Sequence, residues 1–356
     1  MKGLILSGGK GSRLRPFTYT GAKQLVPVAN KPILFYAVEA LAAAGITEIG
    51  IITGDTGQQV RDALGDGSRF GAKLTFIPQD APLGIAHAVK IAAPFLGDSP
   101  FAVFLGDNFL RGGIGPFVRA FSSSGADAQV LLTPVVNPQE FGVALLDAHG
   151  RPVRLIEKPA EPPTDLAIVG IYMFGPRFFE AVEQVTPSAR GELEITDTIQ
   201  KLIDIGAHVR AEVVRDSWID TGKMVDLLTA NRICLDDVEP CTEGAEVDAS
   251  SRISGRVVLQ PGARIINSII HGPVIIGENT EVIDSYVGPY TSIYHDCRLI
   301  STEIEASVVL ERCSIDHPGA RIHESLIGRD VSVSGASEKP RALRLTLGDH
   351  SRVQVP

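Results

Sequence analysis

Two cations, Arg13 and Lys23, lie in a segment that opens on three closely set glycines, Gly8, Gly9 and Gly11. Glycines let a backbone approach phosphate oxygens and turn several N–H groups toward them, while an arginine and a lysine add mobile positive charge. These residue types read as a clamp for the polyphosphate of a nucleoside triphosphate. Transfer between phosphates also needs a metal, because attack of one phosphate anion on another is blocked by charge until cations screen it. Carboxylates must hold that metal. Asp107 in FLGDN ends an apolar strand, and Asp220 in WIDTG sits between an apolar strand and a helix. Mg²⁺ suits such a pair, since it takes hard oxygen ligands and completes its octahedron with water and substrate phosphate.

Two familiar glycine loops are excluded by order. A P-loop requires G-x-x-x-x-G-K-[ST], and here Lys10 precedes Gly11 and Ser12. The dinucleotide fingerprint G-x-G-x-x-G fails because Leu14 stands where its last glycine belongs. What remains is GGxGxRLxPxT, then KQ, then PVxxKP, with Arg13, Pro16, Lys23, Gln24, Pro27, Lys31 and Pro32 in register. This string resembles the sugar-phosphate nucleotidyltransferases, and among them the thymidylyltransferases that act on glucose 1-phosphate.

The resemblance implies Mg²⁺-dependent transfer from dTTP to α-D-glucose 1-phosphate, giving dTDP-glucose and diphosphate, the first step of dTDP-deoxysugar synthesis. The nucleotide would be held by Leu6, Gly8, Gly9, Gly11, Ser12, Arg13, Gln24, Gln79, Gly84 and Asp107, and the metal by Asp107 and Asp220. Arg13 would neutralise the β,γ-phosphates and Lys23 the charge growing between the α- and β-phosphates. Lys158 in LIEKP would grip the sugar phosphate, with Glu157 accepting hydrogen bonds from sugar hydroxyls. EFGV around Gly142 and LAIVGIY around Val169 and Gly170 resemble the segments that wrap the sugar with backbone groups, and GELEITD would turn Glu194 toward it. No general base is required, since a phosphate monoester is largely dianionic at neutral pH. KQL after the loop points to thymine, where related guanylyltransferases more often show KPL. Glutamine offers both a donor and an acceptor to a pyrimidine edge. UTP and GTP stay open as alternatives.

The elements that must position these groups alternate up to about residue 235. GLILS is a continuous apolar run suited to a strand covered on both faces. Pro32 opens a helix through FYAVEALAAAG that stops at Gly45, and EIGIIT, QQVRDAL, KLTFIP, IAHAVKIAA and FAVFLGD continue the strand–helix order. This predicts an α/β, doubly wound, mostly parallel Rossmann-like sheet with ligands at the carboxyl ends of its strands. Past residues 240 to 250 helical periodicity vanishes. Aliphatic residues recur every five to seven positions at Val247, Ile253, Val258, Ile265, Ile270, Ile276, Val282, Val287, Ile293, Leu299, Ile304, Val309, Ile315, Ile322, Ile327 and Val333. Units such as IGENTE and VGPYTS have the hexapeptide form of a parallel β-helix, with aliphatic and small residues inward. Left-handedness is implied by resemblance to the β-helix behind several nucleotidyltransferases. The expected division is a transferase domain over 1–240 and a β-helix over 241–356. GASEKPRALRLTLGDHSRV breaks the period and reads as a loop before a last irregular coil.

A net charge of −9 over 356 residues argues against a nucleic-acid groove or an anionic membrane surface as partner. The chain opens on its first strand, leaving no room for a signal peptide, and no apolar run approaches bilayer length, so a cytoplasmic protein is expected. Cys234, Cys241, Cys297 and Cys313 show neither C-x-x-C nor zinc spacing and read as reduced and mostly structural. His271, His295, His317 and His323 would be the candidate bases for an acyl transfer, the activity some relatives of the repeat carry, but no spacing organises them. A solenoid with flat faces predicts a homo-oligomer.

Overall fold

The computed structural model describes residues 1–9, 11–19, 21–215, 217–335, 351 and 353. The irregular coil expected after Gly335 lies almost wholly outside the described residues. Two compact units divide the chain: one from Met1–Lys10, Gly21–Leu25 and Ile33–Asp220, the other from Gly11–Thr20, Val26–Pro32 and Thr221–Pro356. No described helix is long and apolar enough to cross a membrane.

The first unit is built on a nine-stranded sheet. Lys73–Pro78, Glu48–Thr53, Lys2–Ser7 and Phe101–Leu105 lie side by side and parallel, with Leu4 opposite Gly50 and Val103. Residues that alternate along these strands fall into two separate cores. Leu4, Ile52 and Val103 pack with the helices Ile85–Ile91 and Ile195–Asp204, whereas Ile5, Ile51 and Phe104 pack with Ile33–Ala43 and Gly57–Leu64. Helices therefore cover both faces, as the unbroken apolar strands required. The other half of the sheet turns antiparallel: Leu166–Phe174 runs against Phe101–Leu105 and Ala128–Pro134, and Pro152–Glu157 against Gly142–Leu146. The architecture is the doubly wound Rossmann-like one, with a mixed sheet. Gly45, at φ 81°, ends the first long helix.

In the second unit three parallel sheets of six, five and five strands form the faces of a β-helix consistent with the left-handed form. Three aliphatic columns fill it. Val247, Ile265, Val282, Leu299, Ile315 and Val333 stack on one face, and Ile253, Ile270, Val287, Ile304 and Ile322 on the next. The third column is Leu259, Ile276, Ile293, Val309 and Ile327. Here one residue differs from expectation: Val257 and Leu259 turn inward and Val258 stays half-buried. A run of three aliphatics, VVL, gives the pleat no polar residue to set its phase. Most corners carry a residue in the left-handed region, such as Asn279 (φ 54°), Asp296 (φ 57°) and Asp330 (φ 58°), types whose short polar side chains tolerate it. Cys297 and Cys313 occupy the small inward positions, their thiols donating to Leu310 O at 3.0 Å and Gly328 O at 2.9 Å. None of the four cysteines is in a disulfide, with Cys234 buried and Cys241 exposed.

Candidate active site

Lys23 sits in a short 3₁₀ turn, Lys23–Leu25, of the first unit and is only 6% exposed. Its ammonium forms an ion pair with the Asp107 carboxylate and lies 4.0 Å from Asp220 Oδ1. The two carboxylates are brought together by a ladder of two short strands, Asn108–Leu110 and Trp218–Asp220, in which Asp220 stands opposite Asn108. Asn108 then works in both directions. It donates to Asp107 Oδ1 at 2.9 Å and accepts from Trp218 Nε1 at 2.7 Å. Burial pushes the Asp107 carboxyl up, yet the Lys23 charge and hydrogen bond, with Asn108 behind them, hold it below the ordinary value of 3.8. Asp107 and Asp220 keep some access to solvent and offer hard oxygens, which fits a divalent ion that takes its remaining ligands from water and phosphate. Among the described residues no group of three or more metal-ligating side chains forms a closed cage.

Around this centre the first unit gathers Gly8, Gly9, Gly84, Gln24 and Gln79 of the expected nucleotide contacts. A side chain on Gly8 would begin 3.4 Å from Gln79 Oε1, and one on Gly9 3.7 Å from Gln24 Nε2. Gln24 is buried, and its Oε1 has no hydrogen-bond partner among the described residues. Gln79 donates to His87 Nδ1 at 3.0 Å and reaches Gly84 O at 3.4 Å. Gly84 has φ 104°, and a Cβ there would meet Leu193 O at 2.4 Å, so only glycine fits. Backbone bonds from Leu193 N to Leu83 O (2.8 Å) and Ala86 N to Leu193 O (3.1 Å) join this loop to GELEITD.

The expected sugar contacts form a charged cluster. Glu157 pairs with Arg190 at 3.2 Å and Lys158 at 3.8 Å and accepts from Thr196 Oγ1 at 3.2 Å. Arg190 also holds Glu194 at 2.8 Å, and Ser188 Oγ donates to the same oxygen at 2.7 Å. Burial, aided by the neighbouring Glu194 charge, keeps the Glu157 carboxyl above its ordinary value, against the pull of Lys158 and Arg190. Gly142 lies opposite Glu157 in the sheet, and a Cβ on it would sit 2.7 Å from Thr196 Cγ2. Lys158 adopts φ 42°, a strained conformation for a lysine, and its amide donates to Phe141 O at 3.1 Å. Phe141 packs edge-on against Trp218, 5.5 Å between ring centroids, which ties the sugar cluster to the aspartate ladder.

Five expected residues are placed by other contacts. Val169 is fully buried in a core, which leaves only its backbone to meet a ligand. Leu6 packs against the opposite core, and its carbonyl accepts from Gly106 N at 2.9 Å. Arg13 belongs with Gly11 and Ser12 to the second unit, where its Nη2 lies 3.1 Å from the place a side chain on Gly222 would take. Asn108, Trp218 and Arg190 were not singled out from sequence. Trp218 opens the very WIDTG string that flagged Asp220, and Arg190 stands one turn before Glu194, so both signals were present beside residues already chosen. The β-helix histidines have separate partners: His271 bonds to Ser254, His295 to Asp296 and His317 to Asp316, while His323 Nε2 lies 3.6 Å from Glu305 Oε1.

The family model described as nucleotidyl transferase matches residues 2–237. A glucose-1-phosphate thymidylyltransferase of Streptomyces griseus is 52% identical over 355 residues, covering 100% of this chain and 99% of its own length. The low-salt glycan biosynthesis nucleotidyltransferase Agl11 of Haloferax volcanii is 46% identical over 359 residues, covering 100% of both. The crystal structure of a candidate glucose-1-phosphate thymidylyltransferase from Bacillus anthracis, in complex with sucrose, superposes with a TM-score of 0.63 at 38% identity, over 67% of this chain and 96% of that one. The chain belongs to the nucleotidyl transferase family and stands within it among the glucose-1-phosphate thymidylyltransferases.

Proposed function

We propose that the enzyme joins dTTP and α-D-glucose 1-phosphate to give dTDP-α-D-glucose and diphosphate, with Mg²⁺ as its metal, residues 1–240 as the transferase domain and 241–356 as a repeat domain through which identical chains assemble. The observation that carries this reading is one buried cation, Lys23, set against two carboxylates from a single ladder, Asp107 and Asp220. When bound by that pair, Mg²⁺ would supply charge screening for the approach of one phosphate to another. Lys23 neutralises charge that grows on the oxygen between the α- and β-phosphates as that bond breaks, and Arg13 holds the β,γ-phosphates. Lys158 carries the sugar phosphate, whose oxygen attacks the α-phosphorus in line while diphosphate leaves with the bonding electrons. Glu157 and Glu194, both paired with Arg190, accept from sugar hydroxyls. Gln24 Oε1, without a partner among the described residues, supports a base with an imide N–H, since a buried acceptor without a donor is costly until a ligand supplies one.

The test is diphosphate release by the purified chain with α-D-glucose 1-phosphate and each of dTTP, UTP and GTP. dTTP is expected to be the best substrate, and dUTP, run beside them because it lacks only the methyl, to follow within about 10–200-fold, the range one methyl in an apolar pocket can discriminate. No release from dTTP would overturn the reading.

A further inference from the structure

The glycine-rich segment does not pack as one piece. Residues 11–19 and 26–32 fall in the same compact unit as the β-helix, while Lys23, Gln24 and Leu25 between them fall in the other. Two sets of contacts within the second unit account for this. Phe17 lays its ring beside Gly328, its nearest carbons 3.5 and 3.7 Å from where a side chain on that glycine would begin, with Val331 alongside at 4.0 Å. Gly328 follows Ile327, the last member of one aliphatic column, and its carbonyl accepts the Cys313 thiol at 2.9 Å, so the coil beneath fixes its place. Between Phe17 and the glycines, Leu14 is fully buried and Thr18 Oγ1 closes back on Gly11 O at 2.6 Å. Ser12 and Arg13 are thereby carried on a short loop whose two ends are tied together.

Asn231 provides the second anchor. It is fully buried on the helix Met224–Asp236, and its amide is shared between the hairpin and the coils. Its Oδ1 accepts from Ala29 N at 2.9 Å and from Ser292 Oγ at 2.6 Å, and its Nδ2 donates to Tyr290 O at 3.1 Å. Beside it, Asn30 Nδ2 donates to Ile293 O at 2.7 Å. The hairpin so held, Pro27–Val28 paired with Lys31–Pro32, turns through two consecutive left-handed residues, Ala29 (φ 47°) and Asn30 (φ 57°). Alanine resists that conformation, so the turn depends on bonds from outside it.

We propose that the β-helix is a positioning element for the triphosphate-binding segment, with Asn231 and the Phe17–Gly328 contact as the residues that hold it. The inference rests on the reading that Gly11, Ser12 and Arg13 take the triphosphate. Asn231, Phe17 and Gly328 touch no substrate; they act through the backbone of residues 11–19 and 26–32.

The test uses the full chain and two readouts. Gly328→Leu displaces Phe17 from the outside of a coil, at a glycine whose φ is not in the left-handed region. Asn231→Leu removes the shared amide, and Asn231→Asp keeps the acceptor used by Ala29 and Ser292. Steady-state kinetics with dTTP and α-D-glucose 1-phosphate varied in turn should show KM for dTTP raised roughly tenfold in Gly328→Leu and Asn231→Leu, the scale on which displaced binding groups act, with KM for the sugar phosphate unchanged. Asn231→Asp should recover most of the loss. Hydrogen exchange should quicken over residues 26–32 in Asn231→Leu and over 11–19 in Gly328→Leu, and stay unchanged over the strands Lys2–Ser7 and Glu48–Thr53. Unchanged exchange and unchanged KM for dTTP would overturn the proposal, and so would a rise in both KM values with faster exchange throughout. Should the unaltered chain release no diphosphate from any nucleoside triphosphate, the functional reading falls, and exchange alone decides the anchoring: quickened segments support it and unchanged ones overturn it.

Discussion

Lys23 shows how a residue chosen for chemistry also becomes structural. As a cation at a loop its removal would cost the fold little, but its side chain is 6% exposed and paired with Asp107, itself 23% exposed. Breaking such a pair from one side leaves a carboxylate largely withdrawn from water without its counter-charge, a loss of about 3 kcal/mol, the lower end of the range for buried pairs because Asp107 keeps some solvent. Lys23→Met should therefore lose both turnover and stability. The pH dependence reverses as well. With Lys23 present Asp107 titrates below 3.8, so the pair stabilises the fold above that pH and the contribution fades as pH falls through the depressed value. Without Lys23, burial is the dominant influence and pushes Asp107 up. The variant should then lose stability as pH rises through the raised value, and denaturant unfolding at pH 4 to 8 measures the change of slope. Lys23→Met with Asp107→Asn should restore stability and leave turnover absent.

At the scale of elements, the two-strand ladder sets the aspartates, and Trp218 is its fixed point. Trp218→Phe keeps the ring against Phe141 and deletes the donor to Asn108 Oδ1. Asn108 is then free to turn its amide away from Asp107, and a net cost of about 1 kcal/mol is expected from one lost hydrogen bond. kcat should fall severalfold with little change in melting temperature. Equal kcat in Trp218→Phe would remove Asn108 from any part in aiming Asp107. This ladder also marks where the sequence stopped being readable. The strands Lys2–Ser7, Glu48–Thr53 and Phe101–Leu105 announce themselves because they are buried along most of their length and apolar on both faces, whereas the edge strand Lys73–Pro78 has no fully buried residue. Asn108–Leu110 and Trp218–Asp220 are three residues long and pair across more than a hundred positions, so neither local period nor propensity reports them. Arg190 escaped for a related reason: its worth lies in bridging Glu157, 33 positions away, and nothing in SARGE states that. The repeat was legible almost residue by residue, since one coil's core dictates the next at a spacing of 17, and it slipped only at VVL, where three neighbours are equally apolar.

For the whole molecule, if the coils position residues 11–19 and 26–32 for the triphosphate, the stability of the solenoid becomes a condition for activity. In a stacked array each coil is supported by its neighbours, so damage in the middle weakens both ends. Leu299 stands mid-column between Val282 and Ile315 and is 0% exposed. Leu299→Ala leaves a cavity in a core with no second layer to collapse into it, and about 2–5 kcal/mol of stability should go with it. The substitution alters no residue of the sheet-based unit and none of the charged groups assigned to substrate. If the coils merely hang behind the transferase, the temperature at which turnover is lost should stay where it was while the β-sheet melt moves down. If the coils hold Arg13 and its loop in place, the two midpoints should fall together. Thermal inactivation followed by diphosphate release, beside a circular-dichroism melt of the same preparation, separates these outcomes, and we expect the coincident fall, because the bonds that fix Ala29 and the contact that seats Phe17 are lost with the coils that make them.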